Sequence, residues 1–454
     1  MLYFKPDGDF FAGDCMPFFH DGIFHLYYLL DENHHKALNG LGGHQWAHAS
    51  TLDLIHWQHH PLALAIDEEF EKSICTGSIF YHEGTYYAFY ATRLANWHQH
   101  LAWATSSDAI HFQKQQPNPL ASPPAAYSPL HFRDPRPFQD PETGLFHLLV
   151  TAMLEEPELA GRGGCLAHLT SPDLENWTLQ KPFLIPGYGD APECPDYFFW
   201  NGWYYLIFSN ALTARYRMAD SPLGPWLRPP VDTLDGSLSR VMKTAAFGED
   251  RRIGVSWIGT RTDDKDDGRS QWGGHLLFRE IFQHEDGTLG SKFVPEMLPI
   301  DRHKPPFSMS VIDDGTVKET ENAVRLRAWQ SLQCLTLTGL PRNLYLKVMI
   351  FPEPGSASFG LRLRGAGNFA SGYDLSFHLP EQMVKLHGET IYAVDGLDRP
   401  FSLEIILKDD IIDVCIDNRR CIVNRCPELR GDRLFFFAHN SEVAFSAIEI
   451  RPLK

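Results

Sequence analysis

The sequence predicts an all-β protein, a five-bladed β-propeller followed by a C-terminal β-sandwich. Three observations predict it. A Gly-aromatic strand pattern recurs five times, a Ser/Thr–Asp–aromatic turn follows it at a near-constant period, and both patterns stop near residue 303. The 454 residues are 43% hydrophobic and 13% aromatic, ample for packed cores, which excludes a disordered chain. Forty Lys and Arg against 57 Asp and Glu leave a net charge of −17, which argues against nucleic acid or an anionic membrane as partner.

The first pattern is a turn glycine followed by alternating aromatic and aliphatic residues. It reads GIFHLYY at 22–28, GTYYAFY at 84–90, GLFHLLV at 144–150 and GWYYLIF at 202–208, with a weaker copy, IGVSWI, at 253–258. Aromatic and β-branched residues after a glycine read as strands opened by a tight turn. The second pattern runs from Thr51 and Asp53 to Trp57, from Ser106 and Asp108 to Phe112, and from Ser171 and Asp173 to Trp177. A shortened copy runs from Ser221 to Trp226. The closing aromatics are 55, 65 and 49 residues apart, the length of a propeller blade. Unrelated hairpins in one large sandwich are the plainer alternative; two signatures recurring in fixed order weigh against it.

The propeller is expected over residues 1–303. Around Lys304-Pro305-Pro306 the repeat ends, and from 307 to 454 strands such as 343–350, 358–363, 401–407 and 411–416 suit an antiparallel sandwich. That domain is expected to support the propeller, with a monomer or a homodimer through the sandwich as the assembly. The first ten residues lack the basic start and apolar core of a secretory signal, and no run of 18 apolar residues occurs. The eight cysteines, at 15, 75, 165, 194, 334, 415, 421 and 426, form no C-x-x-C pair. Reduced thiols in a cytoplasmic protein are therefore the expectation.

A propeller brings the innermost strand of each blade to one channel, so acids in the same phase of several blades converge. Asp14 lies 8 residues before Gly22, Asp134 lies 10 before Gly144, and Glu193 lies 9 before Gly202. Blade two carries the neutral Thr76-Gly77-Ser78 at that phase. Taken singly, each acid reads as a turn former, a surface ion-pair partner or a solvated loop residue. Together they suit glycosidic hydrolysis or the binding of a hard cation. Hydrolysis needs one protonated and one ionised carboxyl. Glu193 stands among Ala191, Pro192, Cys194 and Pro195, an apolar neighbourhood that favours the protonated form, whereas Arg133 would keep Asp134 ionised. The 22 histidines, His34-His35 and His59-His60 among them, show no ligand spacing and read as surface clusters. His98 and His100 beside Trp97 are placed at the pocket mouth. No metal or cofactor is expected, and no Lys/Arg cluster for a substrate phosphate stands near the acids in sequence.

Arg133-Asp134-Pro135, Glu193-Cys194-Pro195-Asp196 and the early Asp14, with a propeller before a sandwich, resemble glycoside hydrolase family 32 across the whole chain. That resemblance implies a retaining, exo-acting β-fructofuranosidase that takes terminal fructosyl units from a small oligosaccharide substrate, sucrose or short fructooligosaccharides. It implies Asp14 as nucleophile, Asp134 as transition-state stabiliser and Glu193 as acid/base. It implies Arg133, Cys194, Trp46, Ser78 and Trp272 as substrate-binding positions. The first motif departs from the family's Asn-Asp-Pro-Asn-Gly, reading Gly13-Asp14-Cys15-Met16-Pro17. A related five-bladed furanosidase or xylosidase and a non-catalytic carbohydrate-binding propeller remain the alternatives.

Overall fold

The computed structural model describes residues 2–301, 307–311, 316–320 and 322–453. The boundary expected at Lys304-Pro305-Pro306 lies outside these residues. The chain forms two compact units, one of residues 1–233, 239–259 and 271–289, the other of 234–238, 260–270 and 290–454.

The first unit is a propeller of five antiparallel blades. Blade one holds β1 (Phe11–His20), β2 (Ile23–Asp31), β3 (Gln45–Thr51) and β4 (Gln58–His59). Blade two holds β5 (Ser73–His82), β6 (Thr85–Arg93), β7 (Gln99–Ser106) and β8 (Gln113–Lys114). Blade three holds β9 (Tyr127–Gln139), β10 (Phe146–Leu154), β11 (Gly164–Ser171) and β12 (Thr178–Leu179). Blade four holds β13 (Glu193–Trp200), β14 (Trp203–Asn210) and β15 (Thr213–Ala219), and blade five β16 (Arg240–Phe247), β17 (Arg251–Arg261) and β18 (Ser270–Gln283). A short β19 (Leu289–Lys292) pairs with β18. The first strands β1, β5, β9, β13 and β16 neighbour one another in a ring. The ring closes where Ala12 of β1 pairs with Gly274 of β18 and Phe4 bridges to Leu276.

The Gly-aromatic repeats are the second strands. Strand β10 is buried over its first seven residues rather than on alternate ones, because blade sheets are covered on both faces. The turn signature also has one structure in three copies. Asp53, Asp108 and Asp173 each accept backbone N–H bonds from the second and third residues onward. Leu54, Ala109 and Leu174, the residues after them, are all left-handed.

The second unit is built on strands β20 (Ser308–Val311), β21 (Thr316–Thr320), β22 (Ala323–Thr338), β23 (Leu344–Pro352), β24 (Ser358–Ala366) and β25 (Ser371–His378). Then follow β26 (Met383–Leu386), β27 (Glu389–Ile391), β28 (Phe401–Lys408), β29 (Ile411–Ile416), β30 (Arg420–Arg425) and β31 (Arg433–Pro452). Strands β22 and β31 are long and pair with each other, with a register shift between Ala328 and Leu332. On one side of that shift β31 pairs with β24, and on the other with β23. Two sheets thus share the bent pair, and Phe359, Leu361, Val348, Leu403 and Phe445 fill the core between them.

Candidate active site

Each first strand carries a bulge at the same height. Register breaks lie between Ala12 and Cys15, Ile74 and Gly77, Arg133 and Arg136, Glu193 and Asp196, and Arg240 and Lys243. Asp134, Cys194 and Val241 in these bulges have φ of 55°, 53° and 51°. A bulge turns a side chain that the pleat would bury or hide towards the channel end. Asp14, Asp134 and Glu193 sit in three of the five bulges and line one pocket of about 270 Å³.

Asp14 is the most tightly held. Thr76 Oγ1 donates to its Oδ2 at 2.7 Å and Trp257 Nε1 donates to its Oδ1 at 2.8 Å. Burial pushes its carboxyl up to about 6; the bonds from Thr76 and Trp257 oppose the rise and the charges of Asp134 and Glu193 add to it. Asp134 is 2% exposed and accepts the Cys194 N–H at 3.1 Å. Arg133 donates to Glu193 Oε1 at 2.7 Å and lies 3.5 Å from Asp134 Oδ2. Burial works against the Arg133 charge, but Asp134 and Glu193 outweigh it and raise its pKa. The apolar surroundings read for Glu193 from its sequence neighbours are thus corrected: its closest polar partner is a cation from the next blade. Arg133 binds Glu193 more closely than Asp134.

Other predicted positions divide. Trp272 lines the pocket, stacks on His44 with centroids 4.3 Å apart, and lies against Gly13, where a Cβ would come within 2.0 Å of the indole. Arg133 lines the pocket as expected. Cys194 is 3% exposed and stands beneath it, its Sγ 3.7 Å from Asp14 Oδ2, with burial raising the thiol pKa well above its ordinary value. Trp46 is fully buried in the core between blades one and two, its indole N–H donating to Cys75 O at 2.9 Å, so it supports the pocket wall and is not part of its lining. Ser78 is also buried; its hydroxyl donates to Gly77 O and accepts from Lys243. The bulge between Ile74 and Gly77 is the reason: it turns Thr76, not Ser78, towards Asp14.

The sequence reading also missed residues. The surface reading of the histidines holds for His59 but not for His35, His44 and His131, which line the pocket, and His44 Nε2 bonds Asp31 Oδ1 at 3.0 Å. His98 and His100, placed at the mouth by sequence, are not among the lining residues, and His100 bonds Ser122. Arg93 joins Arg133 in the lining, which no clustering along the chain foretold. Lys243 is 2% exposed and donates to Gly77 O, Ser78 Oγ and Pro195 O at 2.9–3.0 Å, tying blade five to the bulges of blades two and four. In sequence, Lys243 lies 11 residues before Gly254, close to the phase that the acids hold in blades one, three and four.

Three carboxyls lining one pocket, Asp14, Asp134 and Glu193, are an arrangement that can serve glycosyl transfer to water. Residues 4–222 match the model of the glycosyl hydrolases family 32 N-terminal domain. The chain belongs to glycoside hydrolase family 32. It is a glycoside hydrolase of the β-fructofuranosidase type. The sucrose-6-phosphate hydrolase of Bacillus subtilis is 29% identical over 438 residues, 90% of this chain and 84% of that protein. The sucrose-6-phosphate hydrolase of Escherichia coli is 26% identical over 339 residues, 68% of each chain. Fructan 1-exohydrolase IIa from Cichorium intybus superposes with a TM-score of 0.74 at 17% identity, over 100% of this chain and 96% of that one, which bears on the fold. Among the described residues no helix is long and apolar enough to cross a membrane.

Proposed function

We propose that this family 32 enzyme releases terminal β-fructofuranosyl units from sucrose or short fructooligosaccharides, with retention, through a fructosyl-Asp14 intermediate. The observation that carries the reading is the placement of Asp14, Asp134 and Glu193 in matching bulges around one pocket, with Asp14 fixed by Thr76 and Trp257.

In the first step the Asp14 carboxylate attacks C2 of the fructosyl unit as the Glu193 carboxyl gives its proton to the departing oxygen. To do so Glu193 exchanges Arg133 for the glycosidic oxygen, and Arg133 turns to Asp134 and the sugar. Asp134, buried beside Arg133, accepts fructose hydroxyls and balances the cationic character at C2. In the second step Glu193 takes a proton from water, the water oxygen attacks C2, and the Asp14–C2 bond breaks. The two bonds to Asp14 hold its lone pairs in one direction, which limits reorganisation on attack.

Product analysis on sucrose, sucrose 6-phosphate, 1-kestose, inulin and levan tests this. Terminal fructose release is expected; pentose release from arabinosides or xylosides without action on any fructoside would overturn it. A phosphorylated sucrose has its own support: Arg93, His35 and His131 add cationic or donor groups to the pocket wall. Arg93 holds Leu41 O and His35 through Nη1, which fixes its guanidinium at the rim. A lower KM for sucrose 6-phosphate than for sucrose, lost in Arg93→Gln, is the mark of that preference.

A further inference from the structure

The second unit contains a cavity of about 350 Å³, lined on its buried side by Leu344, Leu407, Leu434 and Arg364 and at its exposed rim by Arg342 and Asp432. Arg433 also lines it and donates to Gly367 O at 3.1 Å. Three arginines against one aspartate give this lining a net positive charge in a chain of net charge −17.

Arg364 is the unusual member. It is 5% exposed, has a left-handed φ of 46°, and lies in the bulge of β24 where pairing with β25 shifts between Leu363 and Ala366. The bulge is what places it inside: Leu363 and Arg364 are adjacent in the chain, and both are buried. Its Nη1 and Nη2 have no hydrogen-bond partner among the described residues. Burial works against its charge; Cys426, Tyr373 and, after them, the Asp410 carboxylate oppose that, and Asp410 already bonds Arg425 at 2.7 Å. A buried guanidinium with both terminal nitrogens unmatched is costly, and an incoming anion offsets that cost.

We propose that this cavity binds a small organic anion, its oxyanion head paired with Arg364 and its apolar body against Leu344, Leu407 and Leu434. Arg342 and Arg433 attract the anion at the rim, and Asp432 disfavours a second negative charge there. The terminal nitrogens of Arg364 are sealed from solvent, so pairing requires the side chain to rotate towards the cavity. Carboxylates and phosphate monoesters share the head-group chemistry, and leucine walls favour either one on an aliphatic chain.

The test is calorimetry and thermal unfolding of the full chain with hexanoate, hexyl phosphate, inorganic phosphate and neutral hexanol. Hexanoate or hexyl phosphate is expected to bind and raise the Tm, the tighter of the two identifying the head group, and hexanol is expected not to. Arg364→Met should bind roughly tenfold or more weakly and should itself raise the ligand-free Tm by removing an unmatched buried charge. Arg342→Gln with Arg433→Gln weakens binding without touching the interior, and covers the case in which Arg364→Met fails to fold. Sucrose hydrolysis should be unchanged in both variants. Equal binding by Arg364→Met, equal binding of hexanol, or no binding by any probe would overturn the proposal.

Discussion

Asp14→Asn should make the protein more stable while abolishing its activity. Burial first, and the charges of Asp134 and Glu193 after it, raise the Asp14 carboxyl from 3.8 to about 6. At 1.36 kcal/mol per unit, ionising it in the folded protein costs about 3 kcal/mol, reduced to about 2 kcal/mol by the opening of the pocket to solvent. Between pH 3.8 and 6 the folded state holds a proton that the unfolded state has released. Stability therefore falls as the pH rises through that window and stays low above it. Below the window both states are protonated and the penalty is absent. Asparagine has no charge to bury and still offers an acceptor to Trp257. Urea denaturation followed by tryptophan fluorescence is a direct assay, because Trp257 and Trp272 adjoin the site. The variant should be about 2 kcal/mol more stable at neutral pH, with the gap closing as the pH is lowered towards 4. A variant no more stable than the parent at neutral pH, or a gap independent of pH, would refute the reasoning.

Three further outcomes follow from the same geometry. Thr76→Val removes a bond that lowers the Asp14 pKa, so the acid limb of kcat/KM should move to higher pH by up to about one unit, whereas Ser78→Ala should leave that limb in place. Gly13→Ala drives a methyl into Trp272 and should cost about 1–3 kcal/mol of stability, with KM rising as the pocket wall is displaced; unchanged kinetics would contradict the role given to Trp272. Trp46→Phe should lower stability, read by thermal unfolding, and leave KM for sucrose nearly unchanged, the reverse of what a sugar-contacting tryptophan would show.

The fold was legible because blade strands repeat a chemistry that length alone does not dilute. GIFHLYY and GWYYLIF are 180 residues apart and still mark equivalent strands. The three acids were legible for the same reason, as counting from the turn glycine fixes height in the channel. What the count could not supply was direction. The bulge at Cys75-Thr76 exchanges the parts that a regular pleat would give Thr76 and Ser78, and nothing in Cys75-Thr76-Gly77-Ser78 announces it. Trp46 reads as a pocket residue because it is aromatic and near the right height, yet it points between blades. Arg133 was read beside Asp134, its neighbour along the chain, while Glu193 comes to it across blades. His35 and His44 meet because the segment joining β2 to β3 folds back on Asp31, a relation that spacing along the chain does not express.

The central claim is that Asp14 carries the fructosyl unit and Glu193 assists its arrival and departure. Glu193→Ala should accept fructose from a substrate with a good leaving group and then fail to pass it efficiently to water. Acid quench of that variant during turnover, followed by peptide mass mapping, reads the result directly. One fructosyl residue on the peptide that contains Asp14, absent when Asp14 is also replaced by Asn, is the predicted result. No adduct with turnover still proceeding, or an adduct on a peptide lacking Asp14, would contradict the account.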